Sequence, residues 1–192
     1  IENTDNPLKF ESAILEIAEK DERTLVRAAA IEVLSSLEKA EEYEELFAQA
    51  TQEMSYAISG AGLEALAAIQ PEKGLMLAQK LELQSKNELE EAVMRTYAFH
   101  GGQEQFDYFD NKLKKASNYD LYLTAAFFTE YLMKQELEIA IKGVPMIVSA
   151  IDNGPSWAGY YFNLMVEKII EHHLKISDNK KQTKILFEQA IN

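Results

Sequence analysis

Acid–base or metal chemistry in this chain would have to come from three histidines, His100, His172 and His173, and from 25 glutamates. A zinc hydrolase of the His-Glu-x-x-His type needs two imidazoles one helical turn apart, so that both aim at one metal. His172 and His173 are adjacent and follow Glu171. On a helix, neighbouring side chains diverge by about 100°, so this pair does not form such a site. Its spacing predicts a solvated helix end, where a cation complements the C-terminal dipole. A nucleophile needs a neighbouring base and a group to orient that base. There is no Cys, no Gly-x-Ser-x-Gly, and no His with an obvious acid partner.

Gly60-Ala61-Gly62 resembles part of a phosphate-binding loop. No strand precedes it, no Lys-Ser/Thr follows, and it lies inside a helix-period pattern, which predicts close helix packing. Glu41-Glu42 and Glu44-Glu45 could mimic catalytic carboxylates but read as a solvated face. The site reading is therefore empty: no residue is assigned as catalytic, cofactor-binding or metal-ligating in this segment.

The elements behind these residues are helical. Glu, Leu, Ala and Lys dominate the 192 residues, with only 4 Pro and 8 Gly; the four are good helix formers. A chain of this length buries roughly 70% of the surface its unfolded form exposes. The net charge of −13 repels a phosphate backbone, because nucleic-acid affinity rests on Lys and Arg neutralising phosphates. Nucleic acid and anionic membranes are set aside as partners. The charge either solvates helix outer faces or attracts cationic ligands. Without Cys the redox compartment stays open. No run of 18 apolar residues is present, so a soluble chain is expected, in the cytoplasm or the periplasm. It opens on Ile1 with no leader pattern, which suggests a piece of a longer chain.

Apolar residues recur at helical spacing almost throughout. Asn6-Pro7 predicts a capped start, with Phe10, Ala13, Ile14 and Ile17 as one face. Asp21 is placed to cap a second helix whose Leu25, Val26, Ala30, Val33, Leu34 and Leu37 point inward. Helices follow over Tyr43 to Thr51, Met54 to Ile69, and Pro71 to about Leu83. Ser85 with Glu88 reads as a capping box for a sixth helix. That helix stops near His100, at Gly101-Gly102, where glycine can take the left-handed cap conformation. Further helices are expected over 103–116, 119–134, 136–151, 156–174 and 178–191. The one clear loop among them is Asp152-Asn153-Gly154-Pro155.

The first half repeats. Val26 aligns with Ile58, Ala30 with Gly62, Ile31 with Leu63 and Leu34 with Leu66, an offset of 32 residues. Asp21 falls over Glu53. A weaker third copy, Leu89, Val93, Met94 and Tyr97, lies 31 residues further on. Each copy is a helix pair with a small residue midway along its second helix. One such pair cannot bury its apolar face alone, so neighbours must stack. The predicted fold is all-α: a solenoid of antiparallel, HEAT- or armadillo-like helix pairs with about 10–11 helices. It forms a single domain over 1–192, with clear repeats in 6–101 and less regular helices in 103–191. A charged pair of Asp21 with Arg27 could bridge repeats.

Aromatic residues crowd the second half, among them Phe106, Tyr108, Phe109, Tyr119, Tyr122, Phe127, Phe128, Tyr131, Trp157, Tyr160, Tyr161 and Phe162. Over 156–174, Trp157, Tyr161, Leu164, Met165 and Lys168 make one stripe. Phe162, Val166, Ile169 and Ile170 make another. A helix apolar over so much of its circumference belongs in a core. The other reading is an aromatic surface set against another domain or a peptide, a use that Tyr and Trp suit.

In order along the chain stand Asp21-Glu-Arg-Thr-Leu-Val-Arg-Ala-Ala-Ala30, Met54-Ser55-Tyr56, Ala61-Gly-Leu-Glu-Ala-Leu66, Pro71-Glu72-Lys73 and Thr96-Tyr97-Ala98-Phe99-His100-Gly101. This series resembles the C-terminal HEAT-like helical region of bacterial M1-family aminopeptidases, zinc peptidases of the gluzincin type. The resemblance covers residues 5–110 well and the rest loosely. The family's His-Glu-x-x-His and Gly-x-Met-x-Asn motifs are absent, so no catalytic or metal residue carries over. The resemblance implies a supporting domain that packs on the catalytic domain of the same parent chain and helps enclose the cavity that admits peptide substrates. The zinc would belong to that catalytic domain. An acidic concave wall would favour substrates with a charged amino terminus. The alternative is a stand-alone HEAT-repeat scaffold for protein–protein interaction.

Overall fold

The computed structural model describes residues 7–154 and 156–191. They form eleven α-helices with three short 3-10 turns and no strand. The helices are α1 Pro7–Lys20, α2 Thr24–Ser35, α3 Glu44–Ala50, α4 Tyr56–Ile69, α5 Pro71–Leu81, α6 Asn87–His100, α7 Phe106–Lys115, α8 Asn118–Lys134, α9 Leu137–Asn153, α10 Gly159–Ile176 and α11 Lys180–Ile191. The all-α, solenoid-like stack of helix pairs is the predicted fold. The described chain divides into two compact units, Ile1–Thr96 and Tyr97–Asn192. The division falls within α6, close to where the sequence repeat gives out.

In the first unit, α4 is the hub. Ten of its fourteen residues are buried, from Ala57 to Leu63 and from Ala65 to Ala67. It packs on α2, α3 and α5. Small residues set the approach on its sides. A Cβ on Gly62 would lie 2.7 Å from the Ala50 Cβ and 2.9 Å from the Phe47 carbonyl oxygen of α3. A Cβ on Gly60 would lie 2.9 Å from the Glu88 carbonyl oxygen in α6. On the α5 side the roles are exchanged, and a Cβ on Gly74 would lie 2.4 Å from the Ala67 Cα. Ala30, the counterpart of Gly62, is buried too. The repeat therefore consists of shared packing positions.

The predicted inward faces are partly rotated. In α1 the buried side is Ala18, with Glu11, Ile14 and Leu15 half-buried, while Phe10, Ala13 and Ile17 are exposed. In α2 the buried set is Ala28, Ala30, Ile31 and Leu34, and Leu25 and Val33 face outward. Each helix is apolar on more of its circumference than one neighbour can cover.

The end signals also differ. Arg23, not Asp21, occupies the α2 cap position. The Asp21 carboxylate instead accepts the Arg23 backbone N–H at 2.9 Å and its guanidinium at 2.8 and 2.9 Å. That leaves no Asp21–Arg27 pair. Arg27 donates to the Ala18 carbonyl oxygen at 2.9 Å and to Glu53 at 3.0 Å. Glu53 is the residue aligned with Asp21 one repeat on, so the bridge between repeats exists with a different acid.

The Ser85–Glu88 capping box does not form: the Ser85 hydroxyl donates backward to the Glu82 carbonyl oxygen. The first N–H groups of α6 bond to the Lys86 carbonyl oxygen instead. Gly101 and Gly102 do end α6, but no described glycine has positive φ. Crowding explains Gly101 better, since its Cβ would lie 2.5 Å from the Tyr97 carbonyl oxygen. The only described residues with φ in the left-handed region are Asn87 and Asn118, the first residues of α6 and α8; Asn tolerates that region better than most residues. α9 runs to Asn153, past the expected end at 151, so Asp152 and Asn153 are helical rather than loop. The predicted Asn6 cap and Pro155 lie outside the described residues.

Candidate functional site

His173, expected at a solvated helix end, is buried, with 2% of its surface exposed. Its Nε2 lies 3.0 Å from the Leu132 carbonyl oxygen of α8. Its ring meets His172 edge-on at 5.3 Å and lies 6.0 Å from Phe187 of α11. Burial pushes its pKa below the ordinary imidazole value, aided by the His172 charge and opposed by the Leu132 hydrogen bond and by Glu136. The sequence reading missed this role because α11, whose packing completes the pocket, lies beyond the helix that carries the histidine. His100 closes α6, half-buried. Among the described residues, no three His, Cys, Asp or Glu side chains are gathered as a metal-binding group.

Three of the paired glutamates are tied into ion pairs or hydrogen bonds. Glu44 accepts from Lys73 at 2.7 Å and from Gln70 at 2.9 Å, and both hold its carboxyl below the usual range. Glu45 accepts from Gln49, and Glu42 faces Lys39 at 3.9 Å. Gly60-Ala61-Gly62 lies inside α4 as a packing element, as its periodicity predicted.

The aromatic residues of the second unit separate into two groups, and this division defines the candidate site. One group is its core. Phe109, Phe128 and Tyr131 meet with ring centroids 5.1–6.0 Å apart, and Phe106 lies edge-on to Phe128 at 5.7 Å. All four are buried. The Tyr131 hydroxyl donates to the Gly102 carbonyl oxygen at 2.8 Å. The other group lies at the surface, where the starts of α8 and α10 come together. Tyr122 of α8 contacts Trp157 at 5.6 Å and Tyr161 of α10 at 5.7 Å. Trp157 and Tyr161 meet at 6.2 Å, and Tyr160 joins at 5.6 Å from Tyr161. Tyr119 lies 6.2 Å from Tyr122.

Three contacts in register hold α8 and α10 side by side and parallel: Tyr122 with Tyr161, Glu130 with Lys168, and the Leu132 carbonyl with His173. α9 makes the return between them. α10 thus has two faces with different fates. Phe162, Val166 and Ile169 are buried. On the other stripe, which begins just before α10, Trp157 is 51% exposed, Tyr161 is 45% exposed and Leu164 continues the patch, with Tyr160 beside it at 68%. The core reading holds for Phe162, Val166 and Ile169, while Trp157, Tyr160 and Tyr161 stand at the surface. Tyr119 and Tyr122 could have been assigned to the surface group from their i, i+3 spacing at a helix start, but nothing local pairs them with Trp157.

The five Tyr and Trp rings form one connected surface. It can bury a large, stiff apolar area at low entropic cost and still offer hydroxyl and indole N–H groups at its rim. Compared with known protein families, with curated proteins and with solved structures, the chain matches none.

Proposed function

We propose that this chain is a non-catalytic helical-repeat module that packs against a second protein domain through the aromatic surface at the starts of α8 and α10. The observation that carries the reading is the exposure of Tyr119, Trp157, Tyr160 and Tyr161 in one ring-to-ring cluster. Tyr and Trp are the residues most enriched where partners bind tightly. Contiguous apolar patches on a monomer mark interaction sites.

The narrower form of the reading names the partner. The ordered motifs from Asp21 to Gly101 resemble the helical C-terminal region of bacterial zinc aminopeptidases, so the second domain is the catalytic domain of such an enzyme, in the same parent chain. There zinc would activate water for peptide-bond hydrolysis, and this module would form part of the cavity wall. The acidic charge supports a wall that attracts substrates with a free, protonated amino terminus.

Two measurements test this. The coding sequence upstream of Ile1 is read for a His-Glu-x-x-His with a downstream Glu, and its absence sinks the peptidase form. Independently, Trp157→Ala with Tyr161→Ala is assayed for association with the upstream polypeptide expressed separately. The aromatic surface predicts a loss of about tenfold or more in affinity, as hot-spot truncations give. Undiminished association would remove the docking role. A partner on another chain would turn the reading into the stand-alone scaffold.

A further inference from the structure

Phe109 of α7 and Phe128 of α8 fill the space where their helices meet, with ring centroids 5.4 Å apart. One turn further along α7 the filling gives out. There α7, α8 and α9, which pack on one another, leave a cleft of about 410 Å³. Protein interiors are otherwise close-packed, and small-molecule sites occupy about 300–1,000 Å³. The cleft stays open because Ala116, Ser149 and Ala150 stand on its wall, too small to close it.

The lining divides by chemistry. Leu113, Leu121 and Ala150 are buried and make an apolar floor. Met146, half-buried, joins them with a flexible thioether, a group that adapts its shape and favours the edge of an aromatic ring. Asp110 and Lys114 line the cleft with opposite charges 2.6 Å apart, the aspartate side chain 26% exposed and the lysine 67%.

We propose that this cleft binds a free α-amino acid with an aromatic side chain, the ring entering over Leu113, Leu121 and Met146 while the ammonium and carboxylate meet Asp110 and Lys114. The charges select the head group. A ligand of one sign would satisfy one of the two residues and meet like charge in the other. An α-amino acid carries both signs on a single carbon, as close together as the pair it meets. An exposed ion pair contributes little to a fold, so Asp110 and Lys114 lose little by turning to the ligand. The floor and its thioether select the side chain, since a ring fills such a space with more apolar area than a short aliphatic group does. The cleft is distinct from the aromatic surface at the starts of α8 and α10. Leu121 lines the one and Tyr122 belongs to the other, and neighbouring side chains on a helix diverge by about 100°.

Calorimetric titration of the whole chain with L-phenylalanine should show saturable one-to-one binding. N-acetyl-phenylalanine lacks the ammonium and phenylalaninamide lacks the carboxylate, and each should bind about tenfold more weakly, as loss of a hydrogen-bonded charge gives. L-alanine, which keeps both charges and lacks the ring, should be weaker too. Asp110→Asn should narrow the gap between phenylalanine and its N-acetyl form, and Lys114→Gln the gap between phenylalanine and its amide. Those two gaps would not move if the residues merely supported the fold. Ala150→Leu should fill the cleft and abolish binding; where circular dichroism shows that this variant does not fold, the two charge variants carry the comparison. Trp157→Ala should leave binding unchanged. Absence of saturable binding overturns the proposal, as does equal affinity for either blocked form. So do gaps that survive both charge variants, or a loss of binding in Trp157→Ala, which would move the ligand to the outer rings.

Discussion

Gly62 of α4 rests on Ala50 of α3 so closely that a β-carbon on the glycine would come within 2.7 Å of the alanine's. The Phe47 carbonyl oxygen and the Thr51 N–H would each be 2.9 Å away. These last two are backbone atoms, which cannot swing aside. Gly62→Ala should gain about 1 kcal/mol of helix propensity, but overpacking should cost about 1–3 kcal/mol. The clash wins because the helices themselves must part. Urea unfolding followed through the first unit should show a lower midpoint, and a raised midpoint would mean that the α3–α4 spacing is not set by this glycine.

Arg27 ties three segments with one side chain, reaching the Ala18 carbonyl near the end of α1 and the Glu53 carboxylate before α4. The Arg27 side chain is about one-fifth exposed and the Glu53 side chain about two-fifths, so the ion pair alone should contribute less than about 1 kcal/mol. The carbonyl contact adds a charged hydrogen bond of about 1.5–3 kcal/mol. Arg27→Ala should therefore lower stability by about 2 kcal/mol. Arg27→Lys should recover less than half of that, because an ammonium cannot fork to both acceptors. Hydrogen exchange should speed most in α1. A lysine variant indistinguishable from the original protein would show that only the charge matters.

These two residues mark what was legible in the sequence. The period of 32 that set Ala30 over Gly62 picked out a close approach at Gly62 and a buried position at Ala30, because packing at a helix crossing depends on side-chain size, which a sequence displays. The choice of partner for Arg27 was not legible. Asp21 was nearer in sequence, but it is two residues from Arg23 and closes a local turn with it, an arrangement that costs less chain entropy than a contact between repeats. Leu25 and Val33 were placed inside because they are apolar. Their exposure depends on how many neighbours α2 has, and that is a property of the stack. The candidate site was half legible. The two stripes of α10 could be drawn from spacing, but which of them α8 and α9 would cover could not.

Stability of the second unit should depend on pH through His173. Burial lowers its folded pKa below the unfolded value, so between the two values the unfolded chain binds the extra proton. Stability is then fully present above about pH 6.5, the unfolded value, and is lost as pH falls toward the folded one. The neutral ring, with its Nε2 hydrogen donated to the Leu132 carbonyl oxygen, is the form that fits. The urea midpoint of this unit should drop between pH 7 and pH 5, and His173→Gln should flatten that drop while lowering the midpoint at pH 7. A profile equally steep in the glutamine variant would move the dependence to another group.

The two faces of α10 offer the sharpest comparison. Phe162 is fully buried, whereas Trp157 and Tyr161 are about half exposed. Truncating the buried ring, Phe162→Ala, should cost about 3–5 kcal/mol, lost transfer energy plus a cavity. Trp157→Ala and Tyr161→Ala remove side chains of similar or larger size, yet the area they give up is already half in water. Each also loses ring contacts at 5.6–6.2 Å, worth about 0.5–1.5 kcal/mol beyond area. Their cost should stay near 1–2 kcal/mol. Large aromatic side chains that contribute so little to the fold that carries them are free to serve a partner. Thermal unfolding of the three variants decides the matter. Comparable losses in all three would place the outer rings in the core of the second unit and remove the surface on which the proposed docking depends.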